Sequence, residues 1–115
     1  MKIKRDYNKE LHDTKNRNYA YAFDFDVMHP FQLRSFEPFF RKGNFLELGS
    51  YKGVFTKRFL PYFEDITCVE ASDEAITIAK DELCDKVKFI NSLFETVALP
   101  TKYNNIVLTH TLEHI

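Results

Sequence analysis

Four short apolar runs, separated by stretches of helical spacing, are what most constrain this chain. Phe45–Leu48, Ile66–Glu70, Val87–Ile90 and Asn105–Thr109 are too short for stable helices and read as strands. Between the first two, Phe55, Phe59 and Phe63 recur every fourth residue and predict a helix over Val54–Phe63. Between the second and third, Asp73–Leu83 predicts a helix capped by Ser72 or Asp73, with Ile76, Ala79 and Leu83 turned inward. Strands alternating with helices imply βαβ units. The expected fold is therefore α/β, a Rossmann-like doubly wound sheet, mostly parallel. Such sheets normally have five or more strands, whereas this sequence ends at Ile115, just past the fourth. A sheet truncated after its fourth strand would leave that strand's outer edge bare. Homo-oligomer formation through the exposed edge is then expected.

The first 42 residues read differently. Residues 1–18 are polar and highly charged, which suits an arm. "YAYAFDFDV" (19–27) alternates aromatic with small or acidic residues and predicts an extended segment with one aromatic face. His29-Pro30 is expected to open a helix carrying Leu33, Phe36 and Phe40 on one face, interrupted at Pro38 and stopped by Gly43. Six of the 12 phenylalanines precede Phe45, so this segment has a core or a lid to bury. The domain reading is 1–42 as arm and helical, aromatic lid, and 43–115 as a partial cofactor-binding domain.

Charge and composition exclude several classes. A net charge of −1 argues against a broad nucleic-acid footprint. The basic start (Lys2, Lys4, Arg5) lacks the apolar run of a signal peptide, and no run approaches a membrane span. Cys68 and Cys84 form no metal-type cluster and are expected to be reduced, which favours a cytoplasmic location.

The turn "LELGSYKGVFT" after the first strand carries the chemistry. Strand, glycine turn and helix make a nucleotide crevice, and the acid expected about 20 residues on is Glu70, at the end of the second strand. A carboxylate there can accept both ribose hydroxyls of an adenosine. A dinucleotide site needs a middle glycine so that pyrophosphate can touch the backbone, and Tyr51 stands in that place. No Gly-Lys-Ser/Thr follows to make a P-loop. An adenosine cofactor without phosphates fits better, and S-adenosylmethionine is such a ligand. Glu47 is either the counter-charge for its ammonium or a cap for the helix starting near Gly53. Tyr51 either covers the turn or lines the methionine end.

With these residues the sequence resembles the class I S-adenosylmethionine-dependent methyltransferases, over about residues 43–115. "LELGSYKGVFT" resembles their first motif, with Glu47, Gly49 and Gly53 in the matching positions and Ser50 and Tyr51 between the glycines. "CVEAS" resembles the second, with Glu70 as ribose acid followed by Ala71. "YNNIVLTHTLEHI" resembles the fourth-strand motif ending in Leu-Glu-His, and points to the branch acting on small molecules. The resemblance implies cofactor contacts from Leu93 and Phe94 in "NSLFET", where Phe94 packs on the adenine and Glu95 stands one residue late, and from Thr109. It also places His110 near the transferred methyl as the candidate general base. Two positions depart from the pattern: Tyr51 replaces the middle glycine, and Asn105 replaces an aspartate of largely structural role.

The same residues allow other readings. His110-Thr111-Leu112-Glu113-His114 spells an inverted zinc-protease motif. That chemistry needs both histidines on one helix face and a third ligand, so no metal is expected. Tyr19 and Tyr21 are expected to pack on the sheet or to form part of a lid over the cofactor, and His29 to serve at a helix start. The implied function is methyl transfer from S-adenosylmethionine to a small-molecule nucleophile. Two rivals stand beside it: a truncated, non-catalytic methyltransferase-like domain, and an NAD(P)-dependent oxidoreductase of the same fold.

Overall fold

The computed structural model describes residues 25–108. Helix α1 (Phe25–Phe36) runs into a 3-10 turn (Glu37–Phe39). Strand β1 (Phe45–Leu48) follows, then a 3-10 segment (Thr56–Phe59), β2 (Ile66–Glu70) and α2 (Asp73–Leu83). A 3-10 turn (Cys84–Lys86), β3 (Val87–Asn91) and β4 (Asn105–Leu108) complete the order. The strands lie in the order β3-β2-β1-β4, and all three pairs are parallel. This is the expected Rossmann-like α/β sheet, with β4 beside β1. The outer strand β4 leaves Ile106 59% exposed and Leu108 36% exposed. Among the described residues no helix is long and apolar enough to cross a membrane.

Strand alternation explains the core. Phe45, Ile66, Val87 and Asn105 are register partners across the sheet, so their side chains share one face. Phe45, Ile66, Cys68, Val87 and Val107 on that face are buried against Phe55, Phe59, Phe63, Ala79 and Leu83. The phenylalanines pack as one group, with ring centroids 4.5 Å apart for Phe45 and Phe59, and 4.8 Å for Phe55 and Phe59. Each such ring contributes large apolar area, worth roughly 2–3 kcal/mol on burial. Leu33 and Phe36 of α1 cover the edge of this cluster as their spacing predicts, and Phe40, extended past the 3-10 turn and so off the expected helix, joins them.

Two helices differ from expectation. α1 already includes Phe25, so Pro30 lies inside it and His29 does not sit at a helix start. Residues 25–27 of the alternating run are helical. The register decides it: His29, Leu33 and Phe36 recur at i, i+4 and i+7 and turn inward, while Val27 and Phe31, one turn apart, face solvent. The remainder of that run, 19–24, lies outside the described residues. Pro38 ends α1 as expected, by entering the 3-10 turn. Val54–Phe63 is not an α-helix. Its bonds mix i−4 (Lys57 N–H to Gly53 O, Phe63 N–H to Phe59 O) with i−3 (Arg58 N–H to Phe55 O, Tyr62 N–H to Phe59 O). β-branched Val54 and Thr56 and a run of rings disfavour the helix, and Pro61 has no N–H to donate. The aromatic face survives the looser winding, because Phe55, Phe59 and Phe63 are all buried.

The strands' N-terminal edge is tied by asparagines. Asn44 Nδ2 donates to Lys102 O, and Asn104 N–H donates back to Asn44 Oδ1, both at 2.8 Å. Asn105 Oδ1 accepts from Arg41 N–H at 2.8 Å, while its Nδ2 donates to Arg41 O and Asn44 O. An aspartate at 105 has no such donor, so the departure noted in the sequence is matched to its carbonyl partners. Gly43 makes room, since a Cβ there would lie 2.0 Å from Asn104 Oδ1.

Candidate functional site

The glycine turn leaves the C-terminal end of β1. Gly49 has φ 85°, and its N–H bonds to Val69 O at 2.8 Å, which extends the β1–β2 ladder by one step. The turn closes with Gly53 N–H on Ser50 O at 2.9 Å. Tyr51 has φ 54°, a left-handed conformation that strains a non-glycine residue by roughly 1–2 kcal/mol. Its ring carries the Lys52 ammonium 5.5 Å from the centroid. Gly53 has φ 82°, and a Cβ on it would sit 2.9 Å from Leu83 Cδ1 and 3.1 Å from Ala79 Cβ. Its small size therefore admits α2 against the turn. That is an intramolecular demand, where the sequence pattern suggested ligand approach at both glycines.

Glu70 ends β2 directly beside this turn and is buried. Its Oε1 accepts from Tyr51 N–H and its Oε2 from Ser72 N–H, both at 2.9 Å. The carboxylate thus joins the strained turn to the start of α2, where Ser72 Oγ caps Ala75 N–H at 3.1 Å. A carboxylate offers about four lone-pair sites, so two remain after these bonds.

Glu47 faces the apolar layer from β1, opposite Cys68 and Val107 in register. It is fully buried, and desolvation pushes its carboxyl up to about 7 despite hydrogen bonds from Thr56 and Cys68 that act the other way. The Thr56 hydroxyl donates to Oε1, and Cys68 Sγ lies 3.7 Å from the same oxygen. Cys68 Sγ is also 3.9 Å from Thr56 Oγ1. Burial raises the thiol strongly, with the Glu47 charge adding to it. Ser50 Oγ is buried with no partner in hydrogen-bonding geometry, though it lies close enough to Cys68 to ease the thiol's ionisation slightly. Ser50 Oγ is thus an unused buried donor. Of the two roles expected of Glu47, the structure shows no cap of a helix near Gly53 among the described residues, since its carboxylate bonds side chains.

Beyond β2, Asn91 Nδ2 donates to Glu70 O (3.0 Å) and Ala71 O (3.2 Å), and Ser92 N–H donates to Glu70 O (3.1 Å). These bonds hold the β3 exit against the Glu70–Ala71 backbone. Leu93 is exposed and Phe94 half-buried just past that exit. The structure therefore gathers Gly49, Ser50, Tyr51, Glu70 and Ala71 at one edge of the sheet, with Leu93 and Phe94 following β3. Tyr19, Tyr21, Thr109, His110, Glu113 and His114 lie outside the described residues. His29 is buried in α1, its ring stacked on Phe55 at 4.4 Å between centroids. Among the described residues no group of His, Cys, Asp and Glu could hold a metal ion.

Sequence reasoning passed over Thr56 and Cys68. Cys68 was within reach of it: Glu47 stands two residues before Gly49 and Cys68 two before Glu70, so strand alternation in a parallel pair places them together. Thr56 carried no such signal, because the Val54–Phe63 helix expected from spacing is wound differently.

The arrangement offers a hydroxyl-accepting carboxylate, an unused buried hydroxyl and a buried acid around one tight turn. Comparison with known proteins identifies the domain and its fold. A family model described as a methyltransferase domain matches residues 9–115. No curated protein matches the sequence. Among solved structures, an S-adenosylmethionine-dependent methyltransferase from Clostridium acetobutylicum superposes with TM-score 0.67 at 18% identity, covering 89% of this chain and 43% of that one. The glycopeptide N-methyltransferase MtfA in complex with S-adenosylhomocysteine gives 0.66 at 19%, covering 73% and 37%. CalS10 from Micromonospora echinaspora, an amino pentose methyltransferase bound to S-adenosylmethionine, gives 0.62 at 12%, covering 96% and 44%. The chain thus spans less than half the length of these structures. With the family model covering nearly the whole sequence and the sheet order agreeing, the chain belongs to the methyltransferase-domain family and has the fold of its class I, S-adenosylmethionine-dependent members.

Proposed function

We propose that this chain is the cofactor-binding half of an S-adenosylmethionine-dependent methyltransferase that acts on a small-molecule nucleophile. The observation that carries this is Glu70: a buried carboxylate at the C-terminal edge of the sheet, fixed by two backbone N–H groups, with acceptor capacity left for two ribose hydroxyls. The residues fit the group. Ser50 Oγ supplies a buried polar atom without a partner at the same turn. Tyr51 occupies the place a pyrophosphate needs, which disfavours the nicotinamide rival. In this reading Glu47 answers the ammonium, Gly49, Ser50, Tyr51 and Gly53 form the turn around the methionine end, and Ala71, Leu93 and Phe94 line the adenine. Thr109 lines the cofactor and His110 is the base, both assigned by resemblance.

When bound, S-adenosylmethionine supplies a methyl group already activated as a sulfonium. The chain's task is to align donor and nucleophile and to exclude water, which is worth roughly 7–11 kcal/mol. A base at His110 would take the proton of an alcohol or phenol nucleophile, adding about 10²–10⁴-fold. The small-molecule assignment draws on the Leu-Glu-His ending and on MtfA and CalS10, described as acting on a glycopeptide and an amino pentose. We extend the reading to a cytoplasmic protein with no nucleic-acid partner, residues 1–42 serving as arm and lid to a 43–115 cofactor domain, and self-association through the β4 edge.

Titration calorimetry with S-adenosylhomocysteine and NADH tests it. Binding of the first and not the second is expected. NADH binding would favour the oxidoreductase. Binding of neither would sink the cofactor role of this chain and leave the non-catalytic domain.

A further inference from the structure

Glu47 is the buried acid of the site, and its surroundings are unusual for a group meant to answer a cation. Across the sheet its register partners are Cys68 on β2 and Val107 on β4. From the turn segment Thr56 reaches the same oxygen as Cys68, and both side chains are buried. The other charged group acting on it is Glu70, also on β2, which repels. From α1 the buried titratable residue is His29, and its ring stacks on Phe55, the residue before Thr56. Among the described residues no Lys or Arg forms an ion pair with Glu47. Two weak neutral donors therefore do what a cation would otherwise do.

We propose that Thr56 and Cys68 are positioning residues for cofactor binding: they hold the Glu47 carboxylate in its ionised, oriented form, so that it can meet the ammonium of S-adenosylmethionine. This rests on the cofactor reading above. The sign follows from elementary electrostatics. Donors to a carboxylate favour its charged form, so each lowers the proton affinity that burial raises. Burial raises the group and the two donors hold it back to about 7, so they decide how much of it is charged at neutral pH. Cofactor affinity should then fall as pH drops through that region. Removing a donor should move the fall to higher pH, and strengthening one should move it lower.

Two measurements on the full chain test this. The ¹³Cδ shift of Glu47 against pH, in the ligand-free protein, reads its ionisation directly. Calorimetry with S-adenosylhomocysteine, which keeps the ammonium and lacks the sulfonium, reads affinity at each pH. Thr56→Val should raise the Glu47 midpoint by about one pH unit and weaken binding at pH 7 roughly three- to tenfold, with Thr56→Ser restoring both. Cys68→Ser, a stronger donor, should lower the midpoint and move the fall in affinity to lower pH. That opposite movement is not what a packing defect produces, and it decides the matter if Thr56→Val does not fold. Midpoints unmoved in both variants would overturn the proposal. So would midpoints that move while affinity stays flat with pH. No binding by the wild-type chain at any pH is a different failure, read before any variant, and it sinks the cofactor reading together with this one.

Discussion

At the N-terminal edge of the sheet, Asn44 and Asn105 each use both ends of their amides on neighbouring backbone groups. At the C-terminal edge, Glu70 also bridges two segments, but with a carboxylate that accepts only two N–H bonds and has room for more. The first tie joins the entry to β1 with the entry to β4. The second joins a turn with left-handed residues at 49, 51 and 53 to the cap of α2. A neutral clasp that turns both its donor and acceptor ends onto backbone groups holds the two strand entries together. A charged acceptor beside strained backbone can hold and still take a ligand. The asparagine edge should thus matter for stability alone, and the Glu70 edge for stability and binding together.

Glu70→Ala should break the second tie most severely. It strands the Tyr51 and Ser72 N–H groups and removes the ribose acceptor, so stability should fall by about 3 kcal/mol and S-adenosylhomocysteine affinity by at least about 100-fold. Glu70→Gln keeps one acceptor oxygen and should fall between. Urea unfolding beside calorimetry separates the effects. Lost binding with unchanged stability would leave Glu70 as a ligand contact only and collapse the comparison.

Asn105→Asp probes the other edge. A carboxylate cannot donate to Arg41 O and Asn44 O, and it faces both carbonyls with its charge. Stability should fall by about 2–3 kcal/mol while the folded protein binds cofactor within about twofold of wild type. A parallel loss of affinity would mean that the two edges are coupled through β1.

Glu47 adds a penalty that the asparagine edge lacks. Its carboxyl titrates at about 7 when folded against a reference of 4.5. Between those values the folded chain binds the proton and the unfolded chain does not. The ligand-free protein should be most stable below about pH 4.5 as far as this group is concerned, losing roughly 2–3 kcal/mol as pH rises to about 7. Glu47→Gln should flatten that slope. Urea midpoints at a series of pH values check it, and an equal slope in the variant would remove Glu47 as the cause.

Much of this was open to sequence reasoning because it rests on period. β1, β2 and α2 have the limits that alternation and the Ser72 cap predict, and β4 pairs with β1 as the doubly wound order requires. Val54–Phe63 kept its buried face but not its helix, since spacing reports which residues face inward and not which carbonyl each N–H finds. His29 lies within α1 and not at a helix start, because alternation over 19–27 competes with a helical register that packing against Phe55 resolves. At the site, the residue types were visible and their bonds were not. Glu70 read as a ligand acceptor, and its commitment to Tyr51 and Ser72 depends on how the turn and the cap approach it in space. Gly53 reads as a point of ligand approach, and the structure adds Leu83 and Ala79 as close neighbours that its sequence context does not reveal.

The smallest expected effect gives the sharpest separation within the Glu70 tie. Ser72 takes part in two ways: its Oγ caps Ala75 N–H, and its own N–H donates to Glu70 Oε2. Ser72→Ala deletes the cap and leaves the backbone bond. Stability should fall by about 1 kcal/mol, the usual worth of an N-cap, because α2 starts with one more unsatisfied N–H. If Glu70 is held by backbone geometry, cofactor affinity should change by less than about twofold. If the cap itself sets where the Ser72 N–H points, affinity should drop with stability. Calorimetry on the folded variant distinguishes the two, and a drop would mean that the start of α2 belongs to the binding site as fully as the glycine turn does.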